Sequence, residues 1–267
     1  MKKIRYIAAA LAFCMLFSTL AYAGSFDDVI MSVLEERDSI DETCETEAQR
    51  LANGAYRTVD LLYILCRMND RKGIYADPVE QIYNSLFEVN ENVTDVSEQA
   101  ANGFYRAFEL AHILANELDT YKVYSARIAD LYNGYVEADL VQTTAYEQQA
   151  VSTYQLVYML SIIASELDMD GSYTKYIANT VDTMDTVNIT CVGASQQLAN
   201  GLYRVVDMLY LIASELDVDG EEAERIDKVV EALEKNNAEI KSAARQAVNG
   251  SYRAVELLSL IGLLMGE

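Results

Sequence analysis

Residues 24–267 carry two kinds of apolar pattern, and both have helical spacing. In the first kind, apolar residues recur three or four positions apart, as Phe26, Ile30, Val33 and Leu34 do, so that one face of a helix is apolar. The second kind, such as residues 205–212, is apolar on nearly every side, which is typical of a buried helix. The chain has one proline in 267 residues, which favours long helices. We therefore predict an all-α protein.

A short motif returns along the chain with a period of 49 residues. It reads Leu-Ala-Asn-Gly-Ala-Tyr-Arg at 51–57, and its tyrosines are Tyr56, Tyr105, Tyr154, Tyr203 and Tyr252. A fixed period is typical of repeat architectures, and two helices of about 20 residues with short turns fill 49 positions. We predict five tandem helical hairpins in an α-solenoid-like array, with a closed α/α ring as the alternative. The repeats span about 24–73, 74–122, 123–171, 172–220 and 221–267 as one domain.

The first 23 residues have the features of a secretory signal peptide. Basic residues at 2, 3 and 5 precede a short apolar run from Ile7 to Leu20, and Ala21-Tyr22-Ala23 offers small residues for cleavage. The run is short for a membrane span, and we expect no stable span after the signal is removed. We predict an exported product, periplasmic or extracellular.

The charge excludes some functions and leaves others open. The full chain has a net charge of −22, and removal of residues 1–23 leaves −25. Nucleic acid is an unsuitable partner because its phosphates must be neutralised by Lys and Arg. Acidic residues occur in every repeat, whereas twelve of the seventeen remaining basic residues lie in the two end repeats. We therefore expect any partner of the central repeats to be neutral or cationic.

A polar stripe follows the motif on one face of the second helix of each repeat. An asparagine, a tyrosine, an arginine and an acid stand at i, i+3, i+4 and i+7, which places them on one helical face. The members are Asn53, Tyr56, Arg57 and Asp60; Asn102, Tyr105, Arg106 and Glu109; Asn200, Tyr203, Arg204 and Asp207; and Asn249, Tyr252, Arg253 and Glu256. The stripe is interpreted first as a buried ladder between hairpins and second as a surface that holds a glycan or an extended peptide.

Repeat three departs from this pattern. Val151 and Gln155 replace the asparagine and the arginine, and Tyr154 is kept while Tyr158 replaces the acid. The arginine and the acid are lost together, as expected of an interacting pair, because the loss of one alone would leave an uncompensated charge. The site is therefore either interrupted there or converted into a more apolar pocket around Tyr154 and Tyr158.

A glycine precedes the stripe tyrosine by two positions in the other four repeats. It lies inside a helix, where glycine costs about 1 kcal/mol relative to alanine. The four are Gly54, Gly103, Gly201 and Gly250. Their recurrence predicts close approach of another backbone or a bend.

Cysteines and acidic turns offer two further kinds of candidate chemistry. We interpret Cys44, Cys66 and Cys191 as small core residues, with intermolecular pairing as the alternative, because an open array keeps them too far apart for a disulfide. The turns at Asp168-Met-Asp170-Gly171 and Asp217-Val-Asp219-Gly220 resemble half of a calcium loop. We prefer solvated turns, with the four aspartates as weak calcium candidates and no other metal site.

No catalytic motif is present in the sequence, and no cofactor is expected. We predict an exported, acidic helical-repeat protein that acts without catalysis as a binding or scaffold module for a glycan, peptide or protein. One alternative is a self-assembling structural protein of the cell surface or envelope, which associates through the apolar C-terminal helix at 257–265. A second alternative is a glycoside-active enzyme, in which two acids act inside a closed α/α ring.

Overall fold

A computed structural model describes residues 25–139 and 141–266, so the predicted signal peptide lies outside the described residues. Within these ranges the chain forms ten α-helices and no strand. They are α1 (Phe26–Asp41), α2 (Glu47–Asn69), α3 (Ala76–Asn90), α4 (Val96–Leu118), α5 (Ser125–Asp139), α6 (Ala145–Leu167), α7 (Thr174–Thr190), α8 (Ala194–Leu216), α9 (Ala223–Glu239) and α10 (Ala243–Gly266). The all-α prediction is confirmed.

The helices pair into five hairpins, α1–α2, α3–α4, α5–α6, α7–α8 and α9–α10, numbered one to five below. The even-numbered helices are the longer ones, and each begins 49 residues after the one before. Two of them begin with a capping box, in which the side chain of Thr46 or Thr144 accepts a hydrogen bond from the backbone of the third helical residue. The helix starts therefore follow the period of the sequence motif.

The five long helices form an inner layer that closes on itself. Along the chain, α2 packs on α4, α4 on α6, α6 on α8 and α8 on α10, and α10 then packs on α2. Each short helix of the outer layer lies against its own long helix and the long helix of the preceding hairpin; α1 does so between α2 and α10. The first and last hairpins are thus in contact, which agrees with the closed-ring alternative and not with the preferred open array.

Glycines set the distance between neighbouring long helices. A Cβ atom added at Gly103 would lie 2.9 Å from the Cβ of Ala55, and one at Gly250 would lie 3.0 Å from the Cβ of Leu202. Gly54 meets Ser251 in the same way across the closure of the ring. The predicted close approach is confirmed, since a larger residue would force the helices apart.

The core lies between the two layers and in the middle of the inner layer. The larger cluster fills the space between the layers, and its fully buried members include Phe108, Leu110 and Ile128. A smaller cluster joins the N-terminal halves of all five long helices, with Phe104 and Leu202 among its members. These positions are the apolar faces that the sequence pattern predicts.

One long helix also has the length and composition of a membrane span. Within the described ranges, α6 is long and apolar enough to cross a bilayer, and 61% of its most apolar stretch is buried in the fold. A buried core helix passes the same test of length and composition, so the expectation of no stable span stays a prediction. The helix packs between α4 and α8 in the inner layer.

Candidate functional site

The stripe asparagines join the inner layer to the outer layer. Each side-chain amide donates to the backbone carbonyl oxygen 16 residues earlier, in the short helix of the same hairpin. The four hydrogen bonds are Asn53 to Arg37, 2.8 Å; Asn102 to Leu86, 3.2 Å; Asn200 to Met184, 3.0 Å; and Asn249 to Leu233, 3.3 Å. The sequence repeat therefore places the same hydrogen bond in four hairpins. This bond fixes the register of the two helices of each hairpin.

The arginine and the acid of each stripe form an ion pair, as their joint loss in repeat three predicts. The pair of Arg57 and Asp60 is the most buried, with side chains 8% and 1% exposed, and Arg57 also lies 2.6 Å from Glu36 of α1. Burial raises the pKa of Asp60 to about 6, against the opposing effect of Arg57. The other pairs, Arg106–Glu109, Arg204–Asp207 and Arg253–Glu256, are more exposed.

The stripe tyrosines reach across to the next hairpin. The hydroxyl of Tyr56 bonds with Asn90 of hairpin two, and that of Tyr154 donates to Asn188 of hairpin four at 2.5 Å. The hydroxyl of Tyr203 lies 3.5 Å from Glu234 of hairpin five. These contacts cross the boundary between consecutive hairpins, which we call a junction.

The same contact closes the ring between hairpins five and one. The hydroxyl of Tyr252 donates to Asp41 of α1 at 2.7 Å and accepts from Asn53 of α2 at 3.3 Å. The guanidinium of Arg37, also on α1, lies 3.1 Å from Glu256 of α10. Residues about 200 positions apart in sequence therefore meet as neighbouring hairpins do, and most of the stripe acts as a ladder between helices.

At one junction two residues of the motif are replaced. Between hairpins two and three, the asparagine position is occupied by Val151, whose side chain cannot donate to a tyrosine hydroxyl. The glycine position is occupied by Ser152, which is buried and hydrogen-bonds with the hydroxyl of Tyr135 at 3.0 Å. The asparagine and the glycine of the motif are therefore both replaced at the junction where repeat three meets repeat two.

A groove of about 240 Å³ opens at this interrupted junction. We call it the junction groove, and it is lined by Glu98, Ala101, Asn102, Tyr105, Arg106, Tyr135 and Gln148. Helix α4 supplies the first five residues, α5 supplies Tyr135, and α6 supplies Gln148. Three members of the predicted stripe thus line a cavity here, whereas their equivalents Asn53 and Arg57 are buried.

Aromatic rings and polar groups alternate around the junction groove. The rings of Tyr105 and Tyr135 lie with their centroids 5.3 Å apart, and the guanidinium of Arg106 stacks 4.6 Å from the centre of the Tyr105 ring. Arg106 is held in place because its Nε donates to Asn102 at 3.2 Å and its Nη1 donates to Glu109. Such a surface offers a flat apolar face, amides and fixed donors, the groups that bind sugars or extended peptides.

Tyr154 and Tyr158, the centre of the apolar pocket considered for repeat three, have a different environment. Their hydroxyl groups donate to Asn188 and Asp185 of hairpin four, the latter at 2.7 Å. The two tyrosines therefore belong to the junction between hairpins three and four. Neither of them lines the junction groove.

The weak calcium candidates organise turns. Asp168 accepts hydrogen bonds from the backbone of Tyr173 at 3.0 Å and the hydroxyl of Thr174 at 2.7 Å. Asp217, 49 residues later, accepts from the backbone of Glu222 at 3.1 Å. Asp170 and Asp219 each accept from the backbone two residues on. All four lie in or beside turns, but Asp217 is buried, so the solvated-turn interpretation does not describe it. Gly171 and Gly220 have positive φ, as expected of helix ends.

Two of these aspartates also approach a third carboxylate. Oxygens of Asp168, Asp170 and Glu215 lie within 4.8 Å of one another, and the group is partly exposed. The equivalent position after Asp217 and Asp219 is Leu264, so no third acid is available there. Calcium generally takes six to eight oxygen ligands, and these three carboxylates supply fewer than that number.

The three cysteines are free thiols at separate places in the ring. Cys66 is fully buried, in agreement with a small core residue, and burial raises the pKa of its thiol. Cys44 and Cys191 are only partly buried, in turns of hairpins one and four. The core interpretation therefore holds for Cys66 and was wrong for the other two.

Sequence reasoning did not identify four residues of the junction groove, namely Glu98, Ala101, Tyr135 and Gln148. Tyr135 is at the position where the equivalent residues are Arg37, Leu86, Met184 and Leu233. A large aromatic residue beside the lost asparagine was the available signal. That signal could not be interpreted from the sequence, because the sequence does not show which helices meet at the junction.

No protein-family model, curated protein or solved structure matches this chain.

Proposed function

We propose that this chain is an exported, non-catalytic binding module, built as a ring of five helical-repeat hairpins, and that the junction groove holds a short segment of a glycan or peptide. One observation carries the proposal: a cavity lined by the stripe residues Asn102, Tyr105 and Arg106 lies at the junction where Val151 and Ser152 replace the asparagine and the glycine. Asn102 and Arg106 keep the bonds to Leu86 and Glu109 that their equivalents make in other hairpins. Here they also border a space that a ligand can enter.

The composition of the groove favours a ligand that is polar and close to neutral. Glu98 and Arg106 contribute opposite charges, and Asn102 and Gln148 contribute side-chain amides. The half-buried ring of Tyr105 offers an apolar face to a sugar ring or a side chain. A strongly anionic ligand is disfavoured because the chain as a whole has a net charge of −22.

Binding without catalysis fits this groove better than glycoside hydrolysis does. Hydrolysis generally needs two carboxyl groups that face each other across the substrate. The junction groove has one carboxylate, Glu98, and a second cavity of about 460 Å³ near the turn between α9 and α10 also has one, Glu239. Neither cavity supplies the pair of acids that the enzyme alternative requires.

The self-assembly alternative retains part of the surface that motivated it. Leu257, Leu258, Leu260 and Ile261 of α10 are at most 4% exposed, because α1, α2 and α8 cover that helix. Leu263, Leu264 and Met265 at its end are only partly buried. Light scattering over a range of concentrations tests this alternative, since growth of the particle with concentration supports assembly.

The binding proposal is tested by screening the purified mature protein on glycan and peptide arrays, followed by calorimetric titration of the best ligand. Gln148→Ala removes an amide from the groove, and Gln197→Ala is its matched control, because Gln197 is the equivalent residue of hairpin four. We expect Gln148→Ala to weaken binding by roughly tenfold, as the loss of a well-placed hydrogen bond does, and Gln197→Ala to leave affinity unchanged. Absence of any ligand on both arrays, or equal effects of the two variants, would overturn the proposal.

A further inference from the structure

Two neighbouring turns present apolar side chains at their tips. Met169, in the turn after α6, is 86% exposed, and Val218, in the turn after α8, is 93% exposed. The two residues are 49 positions apart and therefore equivalent in the repeat. Tyr176, in the first turn of α7, is 60% exposed on the same end of the ring. Exposed apolar groups in matching positions of adjacent repeats favour a shared contact surface.

The two turns lie side by side. Glu215, at the end of α8, has a carboxylate oxygen within 4.8 Å of those of Asp168 and Asp170 in the turn after α6. Glu215 is only three residues from Val218 in sequence. The tips that carry Met169 and Val218 are thus on adjacent hairpins of the same face, which we call the acidic turn face, residues 166–176 and 215–224.

This face has a strong net negative charge. Residues 166–176 and 215–224 contain nine acidic side chains and one basic side chain, Lys175. At the edge of the face, Arg225 pairs with Glu222 and Lys228 pairs with Glu224. The turn after α2 is different, since Arg71 occupies the position equivalent to Met169 and Val218, and Lys72 follows it. The acidic and apolar character is therefore a property of hairpins three to five and not of every turn in the ring.

The shape of the face is fixed by its own hydrogen bonds. Asp168 and Asp217 each accept from the backbone five residues on, and Gly171 and Gly220 take positive φ angles of 76° and 75°. A surface that is already ordered loses less conformational entropy on binding. The apolar tips are thus presented in a defined arrangement among carboxylates.

We propose that the acidic turn face binds a cationic amphipathic segment of a partner peptide or protein. The apolar side of that segment contacts Met169, Val218 and Tyr176, while its Lys and Arg side chains lie near Asp170, Glu215 and Asp219. Charge complementarity selects this partner. A second copy of the chain would bring acid against acid, and an anionic lipid surface would be repelled in the same way.

This surface is separate from the junction groove. The acidic turn face lies at the C-terminal ends of the long helices, whereas the groove is lined by the N-terminal halves of α4 and α6. The two proposals can therefore fail independently.

The test is the binding of a fluorescent Lys/Leu peptide of about 18 residues with one apolar face, followed by anisotropy at physiological salt. The variant Met169→Ser/Val218→Ser removes both tips. Its matched control, Ile189→Ser/Val192→Ser, removes side chains that are 86% and 92% exposed at the opposite end of the ring. We expect the first variant to weaken binding by roughly tenfold or more and the control to leave it unchanged.

Three outcomes would overturn the proposal. A peptide of the same composition without an apolar face could bind equally well, which would indicate a purely ionic attraction. Both double variants could have the same effect, or the wild-type protein could fail to bind the peptide. Dimer formation, or sedimentation with anionic vesicles, that depends on Met169 and Val218 would assign the face to a different occupant.

Discussion

The junction between hairpins five and one and the junction between hairpins two and three differ in a way that sequence distance does not predict. The first joins residues about 200 positions apart and has the full set of contacts, including Tyr252 to Asp41 and Arg37 to Glu256. The second joins neighbouring repeats, and Val151 and Ser152 replace the asparagine and the glycine there. A groove opens at the second junction.

The comparison indicates that close packing between hairpins depends on a few residue types at repeated positions. A glycine permits close approach of two helices, and an asparagine fixes the register of a hairpin. Where both are replaced, a groove opens between the hairpins. A change of two residues in a repeat can thus alter a junction without any insertion or deletion.

The largest expected effect contrasts the arginine of hairpin one with its counterpart at the junction groove. Arg57→Leu leaves Asp60, which is 1% exposed, without its ion-pair partner, and such a loss costs about 3–5 kcal/mol of unfolding free energy. For Arg106→Leu we expect about 1–2 kcal/mol, because that pair is 17% and 11% exposed. Urea unfolding of the two variants measures the difference. Equal losses would contradict the greater contribution that we assign to the more buried pair.

The second prediction tests the close approach of helices. Gly103→Val places methyl groups against Ala55, where a Cβ alone would already lie 2.9 Å from the next Cβ, so we expect a loss of about 2–3 kcal/mol. Ser152→Val at the equivalent position of the interrupted junction should cost about 1 kcal/mol, since it removes the hydrogen bond to Tyr135 but adds little volume. Thermal unfolding of both proteins provides the measurement. A larger loss for Ser152→Val would contradict the role given to the glycines.

A third prediction concerns the turn that leads into hairpin three. Lys122 has a φ of 59°, a conformation that its equivalents Gly73, Gly171 and Gly220 adopt without the strain of a side chain. Lys122→Gly should raise the unfolding free energy by about 0.5–1 kcal/mol, since the relief of strain exceeds the added flexibility of the unfolded chain. Lys122→Ala serves as the control and should bring no such gain, because alanine has the same strain. A gain of equal size in both variants would assign the effect to the lost charge.

A fourth prediction concerns the dependence of stability on pH at the junction between hairpins one and two. Burial, together with nearby Asp70, raises the pKa of Glu117 to about 8. A carboxyl group whose pKa is raised by folding contributes stability below its unfolded value, and that stability is lost as the pH rises through about 8. The wild-type protein should therefore lose stability between about pH 4.5 and pH 8 relative to Glu117→Gln.

This pH prediction has a matched control in Glu91→Gln, which changes an exposed glutamate of the same chain. Chemical unfolding across the pH range should give parallel curves for the wild type and Glu91→Gln. Parallel curves for Glu117→Gln as well would show that Glu117 is not the group that titrates.

The sequence was sufficient to predict the helices, the ion pairs and the close approach at the glycines, because each follows from spacing within one or two repeats. Arg106 and Glu109 had to interact since their equivalents are lost together in repeat three. The closure of the ring was not predicted as the first choice. It depends on a small rotation between successive hairpins, which local periodicity does not determine.

The junction groove also could not be predicted from the sequence. The loss of asparagine, glycine and arginine in repeat three was visible, but the two interpretations of that loss could not be separated. Tyr135 lines the groove from α5, and its neighbour Tyr105 comes from α4. The pairing of these two rings is a property of the assembled junction and of neither helix alone.

Ring closure also sets the order in which the protein can be completed. The bonds of Tyr252 to α1 and α2 join residues 211 and 199 positions apart, and contacts of such long sequence separation form late in folding. During synthesis, the apolar residues of α1 and α2 that later meet α10 have no partner until the last hairpin has been made. The apolar surface that is synthesised first therefore stays exposed longest, and it is covered only when the last helix packs against it.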